Sequence, residues 1–379
     1  MDFSLNEDQR AIQDMARAFT TDQITPNAHV WDEEKVWPTD VAKAAGELGF
    51  GSIYVSEDAG GCGLSRVDSV LIFEQLSQGC PSTAAMISIH NMATWMIDRF
   101  GNDEQRERLV APLVGFDKMA SYCLTEPGAG SDAASLKTKA VRDGDDYVLN
   151  GAKAFISGGG ESDIYVVMAR TSDDGARGIS CFVVEKGTPG LSFGAQEKKL
   201  GWHSQPTSAV MFDDCRIPAT NLIGEEGQGF KIAMMGLDGG RLNIAACSLG
   251  GAQRALDEAI TYTKDRKQFG KSIAEFQATQ FKLADMATEL EAARLLLYAA
   301  AQKVSDGAPG AAAHAAMAKR FTTDVAFDVT NHALQLHGGY GYLQDYPIER
   351  ILRDLRVHQI LEGTNEIMRV VISRELLKD

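Results

Sequence analysis

The run SYCLTEPGAGSDAASLKTK, Ser121–Lys139, marks the point where the chain changes texture. It is made of small residues, hydroxyls and turn formers. Downstream come short β-rich runs: DYVLNG (Asp146–Gly151), KAFIS (Lys153–Ser157), DIYVVMAR (Asp163–Arg170), GISCFVVEK (Gly178–Lys186) and SAVMFDDC (Ser208–Cys215). Gly, Pro and Asp clusters separate them, as turns should. No crossover helices space these runs, which disfavours a doubly wound parallel sheet and predicts a small antiparallel β domain, a barrel or a sandwich. Upstream the pattern is helical. Ser4 and Glu7 fit a capping box, and Ile12, Met15, Ala16 and Phe19 fall on one helix face. Beyond about residue 230 longer helices return. Leu283, Ala287, Leu290 and Leu297 form a stripe, and the Ala-rich segments AQKV and GAAAHAAMAKRF suit an antiparallel bundle. The expected organisation is a helical domain over 1–117, a β domain over 118–230 and a second helical domain over 231–379.

The totals narrow the function classes. A chain of 379 residues with 44% hydrophobic and 23% charged residues forms a packed core rather than a disordered coil. Its net charge of -15 repels phosphate backbones and anionic membranes, so neither nucleic acid nor a membrane surface is an expected partner. The basic run KDRK (Lys264–Lys267) reads as a solvated helix face or a local phosphate contact. The six cysteines include no CxxC pair, which argues against zinc and a redox dithiol and for a reducing compartment. MDFSLNEDQR lacks the features of a secretory or transit leader, and no apolar run approaches the ~18 residues of a membrane span. The expected location is a bacterial cytoplasm, or a mitochondrial matrix for a processed protein.

Several short motifs mislead. Gly128, Gly130 and Ala133 match G-x-G-x-x-A, but the βαβ setting is missing. GLSFG (Gly190–Gly194) matches the hydrolase elbow, yet a β-like stretch follows where a helix is needed. Gly270, Lys271 and Ser272 end like a P-loop whose first glycine is replaced by Asp265. His332 and His337 lie five apart and do not share a helix face, so no metal site is expected.

Two stretches carry chemistry. Ser121–Lys139 offers backbone donors and the hydroxyls of Thr125 and Ser131 to a flat or anionic ligand; alone, it reads equally well as a tight loop at a domain boundary. In the second, HGGYGYLQDYPIERILRDLRVHQILEGTNEIMRVVISREL (His337–Leu376), Glu362 follows an apolar Ile-Leu pair. Partial desolvation there would raise its pKa and make it a stronger base. Alone, it reads better as a glutamate favoured by a helix N-terminus capped by Thr364.

In order along the chain, SYCLTEPGAGSD, NGAKAFISGGG, DRKQFG, QLHGGYGYLQDYPIER, RDLRVHQ and LEGTNEIMR resemble the motifs of the acyl-CoA dehydrogenase family, and the resemblance covers essentially the whole chain. It implies an α+β multidomain fold: an N-terminal α-helical domain, a middle β-barrel and a C-terminal four-helix bundle, assembled as a homotetramer with one FAD per subunit. By position, it implies that Tyr122 to Ser131, including Leu124 and Thr125, lines the flavin. It implies that Phe155, Ile156 and Ser157 stand for the family's Trp-Ile-Thr triplet on the ring. Phe155 and Ser157 depart from that triplet but keep an aromatic face and a hydroxyl. Arg266, Phe269, Phe276, Gln277, Gln335, Leu336, Gly338 and Gly339 correspond to positions that hold the FAD of a neighbouring subunit, and Thr364 and Glu366 to further flavin contacts. Ser131, Asp238, Arg241, Leu361, Gly363 and Arg374 correspond to acyl-CoA contacts.

The implied reaction removes a proton from Cα and a hydride from Cβ of an acyl-CoA thioester, with Glu362 as base, flavin N5 as hydride acceptor and an electron-transfer flavoprotein as partner. Some members carry the base at the position matching Gly240, which here has no carboxylate. Leu361 stands where straight-chain members have Tyr. With FISGGGESDIYVVM, VEKGTPGLSFG and GWHSQPT, it makes the chain look most like members acting on the isobutyryl group, a short acyl group with a 2-methyl branch. Butyryl and 2-methylbutyryl substrates are the alternatives within the family. An O₂-reducing acyl-CoA or nitroalkane oxidase and a non-catalytic flavoprotein are the alternatives outside it.

Overall fold

The computed structural model describes residues 4–378. Its first part is helical: α1 (Glu7–Phe19), α2 (Ala28–Glu34), α3 (Thr39–Glu47), α4 (Arg66–Gly79), α5 (Pro81–Phe100) and the short α6 (Asp103–Gln105) and α7 (Ala111–Val114). The capping box of α1 is Asn6 with Gln9, two residues beyond the expected Ser4–Glu7 pair. Of the expected apolar face, Ala16 and Phe19 are buried and Ile12 packs on the core. Met15 points outward, because α4 covers a stripe narrower than the sequence spacing suggests. Helices α4 and α5 are buried nearly all round, as central helices must be.

Eight strands follow: β1 (Ala120–Cys123), β2 (Lys139–Asp143), β3 (Asp146–Ser157), β4 (Ile164–Arg170), β5 (Ile179–Glu185), β6 (Leu191–Phe193), β7 (Thr207–Pro218) and β8 (Leu222–Ile223). They form one sheet in the order β6-β7-β3-β2-β4-β5-β8, with β1 added alongside β4. Pairing is mostly antiparallel, but β1 runs parallel to β4, a departure from the all-antiparallel expectation. The continuous apolar runs of β4 and β5 have a simple cause. Ile164, Val166 and Met168 face the helices through one core, while Tyr165, Val167 and Ala169 face the interior of the β domain with Phe182, Phe212 and Ile217. A strand buried on both faces has no room for polar alternation. GLSFG is β6, an ordinary strand with no helix behind it.

The last part begins with α8 (Gly229–Asp265), a helix of 37 residues, then a small hairpin of β9 (Lys267–Gln268) and β10 (Lys271–Ser272). It continues with α9 (Gln277–Ser305), α10 (Ala311–His337), α11 (Ile348–Arg356) and α12 (Asn365–Leu376). On α9 the buried stripe is Met286, Leu290, Ala293, Leu297 and Ala300, spaced at 4, 3, 4 and 3. Ala287, expected inside, is exposed because the packed face is centred one residue earlier. Helix α8 touches α4, α5, α9 and α10, so it joins both helical regions. Its N-terminal turns also abut β4 and β5, and a cavity opens where the three parts of the chain meet. Among the described residues no helix is long and apolar enough to cross a membrane.

Candidate active site

The cavity has a volume of about 660 Å³. One wall is the glycine loop and the end of β3, with Tyr122, Leu124, Thr125, Ser131, Phe155, Ile156 and Ser157. The opposite wall is α8, the loop before α12 and α12 itself, with Arg241, Leu361, Glu362, Gly363 and Arg374. These twelve residues, from four separate stretches of sequence, line one space.

The glycine loop is held by a pair that the sequence reading did not single out. Glu126 accepts hydrogen bonds from the Lys137 N–H (2.6 Å) and the Thr138 N–H (2.9 Å), and from Lys153 Nζ at 2.7 Å. Lys153 is fully buried and also donates to the Leu124 carbonyl at 3.2 Å. Burial alone would raise the Glu126 carboxyl, but Lys153 and the two N–H donors hold it below its ordinary range. A lysine inside an apolar strand, NGAKAFIS, was the available signal. The Ala154 N–H then donates to the Thr125 carbonyl at 2.8 Å, which seats the loop against β3. Behind it only a three-residue 3₁₀ turn, Ala133–Ser135, follows, so the dinucleotide match is indeed false.

Phe155 lies in the cavity wall with 68% of its surface open and a left-handed φ of 58°. Ser157 Oγ accepts from Gln205 Nε2 at 2.5 Å, which leaves its own proton free to donate. Trp202, also on the cavity and also missed, is fixed at both ends. Its N–H donates to Asp354 Oδ1 (2.6 Å) and its Nε1–H to His358 Nε2 (3.2 Å). His358 Nε2 is therefore an acceptor, and Nδ1 carries the proton shared with Ser248 Oγ at 2.7 Å. Desolvation keeps this ring neutral, with a pKa lowered to about 3. Leu361 packs against the small cluster formed by Trp202, Ile244 and Ala85.

Glu362 lies two residues before Thr364, the N-cap of α12, and so outside the first helical turn. This removes the helix-terminus explanation for it. Its Oε2 is fully buried with no hydrogen-bond partner, and the hydroxyl of Tyr122 is in the same position. Burial pushes the Glu362 carboxyl up from 4.5 to about 7, against the charges of Arg241 and Lys319. Room for it comes from α8: a Cβ on Gly240 would stand 2.6 Å from Glu362 Oε2. The space that a side chain at position 240 would fill is the space the Glu362 carboxyl uses. Arg241 Nε donates to the Glu362 carbonyl at 3.3 Å, and Arg241 Nη1 pairs with Asp238 Oδ1 at 2.6 Å. Asp238 thus reaches the cavity through Arg241 rather than lining it. Among the described residues, the Glu362 N–H donates to no protein acceptor.

The remaining expected residues lie elsewhere. Thr364 caps α12 and Glu366 is exposed beside Arg369; neither lines the cavity. Arg266, Gln335, Leu336, Gly338 and Gly339 line a separate groove with Tyr262 and Tyr340. Phe269 stands 94% exposed beyond β9, edge-on to Phe276, and Gln277 opens α9. Among the described residues no group of three or more His, Cys, Asp or Glu could hold a metal ion.

A carboxyl raised toward neutrality, in a cavity walled by an aromatic face and hydroxyls, is chemically able to take a proton beside a flat ligand. The comparisons with known proteins give the family. Three family models match in succession: acyl-CoA dehydrogenase N-terminal domain over residues 6–117, middle domain over 121–215 and C-terminal domain over 227–377. The chain belongs to the acyl-CoA dehydrogenase family, enzymes that act on CH–CH bonds. It is 57% identical to a mitochondrial isobutyryl-CoA dehydrogenase of Bos taurus over 99% of this chain and 90% of that one. Against the protein of the same name from Dictyostelium discoideum the identity is 58% with the same coverage. The solved butyryl-CoA dehydrogenase from Megasphaera elsdenii superimposes with a TM-score of 0.97 at 41% identity, each chain covered in full.

Proposed function

We propose that this chain is an FAD-dependent dehydrogenase of a short branched acyl-CoA, isobutyryl-CoA converted to methacrylyl-CoA, with Glu362 as the base. The observation that carries this reading is the Glu362 carboxyl itself: unpartnered, buried, held near pKa 7 and seated over Gly240. The residues present fit a flavin. Phe155 offers an open aromatic face, Thr125 and Ser157 offer hydroxyls, and the Tyr122 hydroxyl is a buried polar group of the cavity without a partner. Bound FAD would supply the acceptor for the hydride leaving Cβ. Glu362 takes the Cα proton, and its free N–H is placed to stabilise the negative charge that develops on the thioester oxygen. Arg374 and Ser131, at the rim, suit the phosphates and polar arm of CoA.

The branched substrate is supported by Leu361 packed on Trp202, a flat wall without a phenol, and by the names of the two relatives above. The exposed Phe269 and the groove of Arg266 and Gln335–Gly339 suit the cofactor of an adjoining subunit in a homotetramer, and an electron-transfer flavoprotein suits the role of electron acceptor. Anaerobic flavin bleaching with isobutyryl-, 2-methylbutyryl- and butyryl-CoA tests the reading. The expected order has isobutyryl-CoA fastest; a kcat/KM for butyryl-CoA ten times larger than for isobutyryl-CoA rejects the branched assignment.

A further inference from the structure

Lys319 lies on α10, in the third turn, with no exposed surface. A buried ammonium is costly unless its protons are all used. Here Nζ donates to the Gly363 carbonyl at 2.8 Å and to Asn365 Oδ1 at 2.9 Å. Asn365 in turn donates to Asp324 Oδ1 (2.7 Å) and Thr323 Oγ1 (2.9 Å), both on α10. On the near side of the loop Gln359 Nε2 donates to the same Asp324 Oδ1 at 2.9 Å. The segment that carries the base is therefore pinned to α10 at its start, its centre and its end.

The pinning has work to do. Glu362 and Gly363 are consecutive left-handed residues, with φ of 56° and 87°. A non-glycine residue does not hold that conformation without support from its surroundings. Two cations give that support: Arg241 from α8 takes the Glu362 carbonyl, and Lys319 from α10 takes the next one. With both carbonyls turned outward to buried charges, the Glu362 side chain is left in the cavity.

We infer that Lys319 is a positioning residue for the base: by binding the Gly363 carbonyl and Asn365, it fixes the Glu362–Gly363 turn in the one conformation that places the carboxyl over Gly240. This rests on the reading of Glu362 as base. Lys319 does not line the cavity, yet its charge faces Glu362. The ionisable groups facing that carboxyl are Arg241 from α8, Lys319 from α10, Tyr122 from β1 and Tyr54 from the segment before α4. Removing Lys319 leaves Arg241, already paired with Asp238, as the cation facing Glu362 among the described residues.

The test compares FAD-loaded Lys319→Met with the parent. The variant is expected to keep its flavin and to lose anaerobic bleaching by on the order of a hundredfold, the scale of a misplaced reacting group. The pH midpoint of that rate should move upward, because a cation that favours the ionised carboxylate is gone, and KM should change little. Lys319→Arg should recover the midpoint more than the rate. Amide hydrogen exchange over 359–367 should be faster in Lys319→Met. Should Lys319→Met not fold, Asn365→Ala removes the second acceptor but keeps the cation, so it should lower the bleaching rate about tenfold and leave the midpoint in place. A bleaching rate within twofold of the parent, in whichever variant folds, overturns the inference. A parent that no acyl-CoA bleaches instead rejects the functional reading; the exchange measurement then decides alone, and unchanged protection over 359–367 overturns the role of Lys319.

Discussion

At the scale of single residues the site depends on Glu362 being protonatable near neutrality. Its pKa is raised to about 7, so the carboxylate proposed as base is ionised above that value. The bleaching rate at low substrate should rise with pH below about 7 and level off above it. Glu362→Gln should stay yellow and bind acyl-CoA but fail to bleach; bleaching at the parental rate would remove Glu362 from the mechanism. The sign on stability is opposite. A carboxyl whose folded pKa exceeds its unfolded value weakens the fold as pH rises from 4.5 through 7. The Gln variant should therefore gain melting temperature over the parent at pH 8 and lose that gain by pH 4.5. Glu362 was legible as a candidate from its apolar neighbours, but its isolation was not: the sequence cannot show that Oε2 lacks a partner. Glu126 and Lys153, 27 residues apart, meet only in the fold.

At the scale of elements, the crossing of α4 and α8 sets how far α8 reaches toward the cavity. A Cβ on Gly250 would lie 2.0 Å from the Glu74 carbonyl and 2.1 Å from Ser77 Oγ. Both belong to α4, and backbone cannot step aside. Gly250→Ala should cost about 1–3 kcal/mol, the usual range for overpacking. It should also lower activity at Arg241 and Gly240, two to three turns nearer the N-terminus of α8. Thermal denaturation checks the first and flavin bleaching the second; an unchanged melting temperature would mean that the helices separate freely. The β-rich runs were readable one by one, because β4 and β5 are hydrophobic on both faces. The parallel pairing of β1 with β4 was not, since strand partners far apart in sequence leave no local trace. The rotated stripe on α9 has a similar origin: Leu283 and Ala287 share a face, but the neighbouring helices choose which face is covered.

At the scale of the whole molecule, two buried neutral histidines sit where the β domain meets the helical parts. His90 on α5 donates through Nε2 to the Leu113 carbonyl (2.9 Å) and accepts from the Ala120 N–H (3.0 Å) at the start of β1. His358 joins Trp202 to α8 in the same manner. Desolvation lowers the two rings to about 4 and about 3. Below about pH 6.5 the unfolded chain takes up a proton at each that the folded chain refuses, so each withdraws stability as pH falls, at about 1.4 kcal/mol per unit. The raised carboxyls of Glu362 and Asp354 act in the other direction, so a single variant isolates the effect better than the parent's pH curve. The stability margin of the parent over His90→Gln should shrink from pH 7 to pH 5. A margin that stays constant would place the proton on His90 in the folded state.

The sequence by itself determined the order helix, sheet, helix and the family, and it singled out Glu362 as the candidate base, because periodicity and ordered motifs are local properties. Tertiary structure decided the rest. It put the Glu362 carboxyl in the space left by Gly240, made Lys153 the anchor of the glycine loop, bound Lys319 to the Glu362–Gly363 turn, and set Trp202 near Leu361. Each of these depends on distance between residues remote in sequence, and on burial that removes water as an alternative partner. The run Ser121–Lys139 shows the division: its composition announced a tight loop, and the fold supplied the buried ion pair that gives the loop one shape.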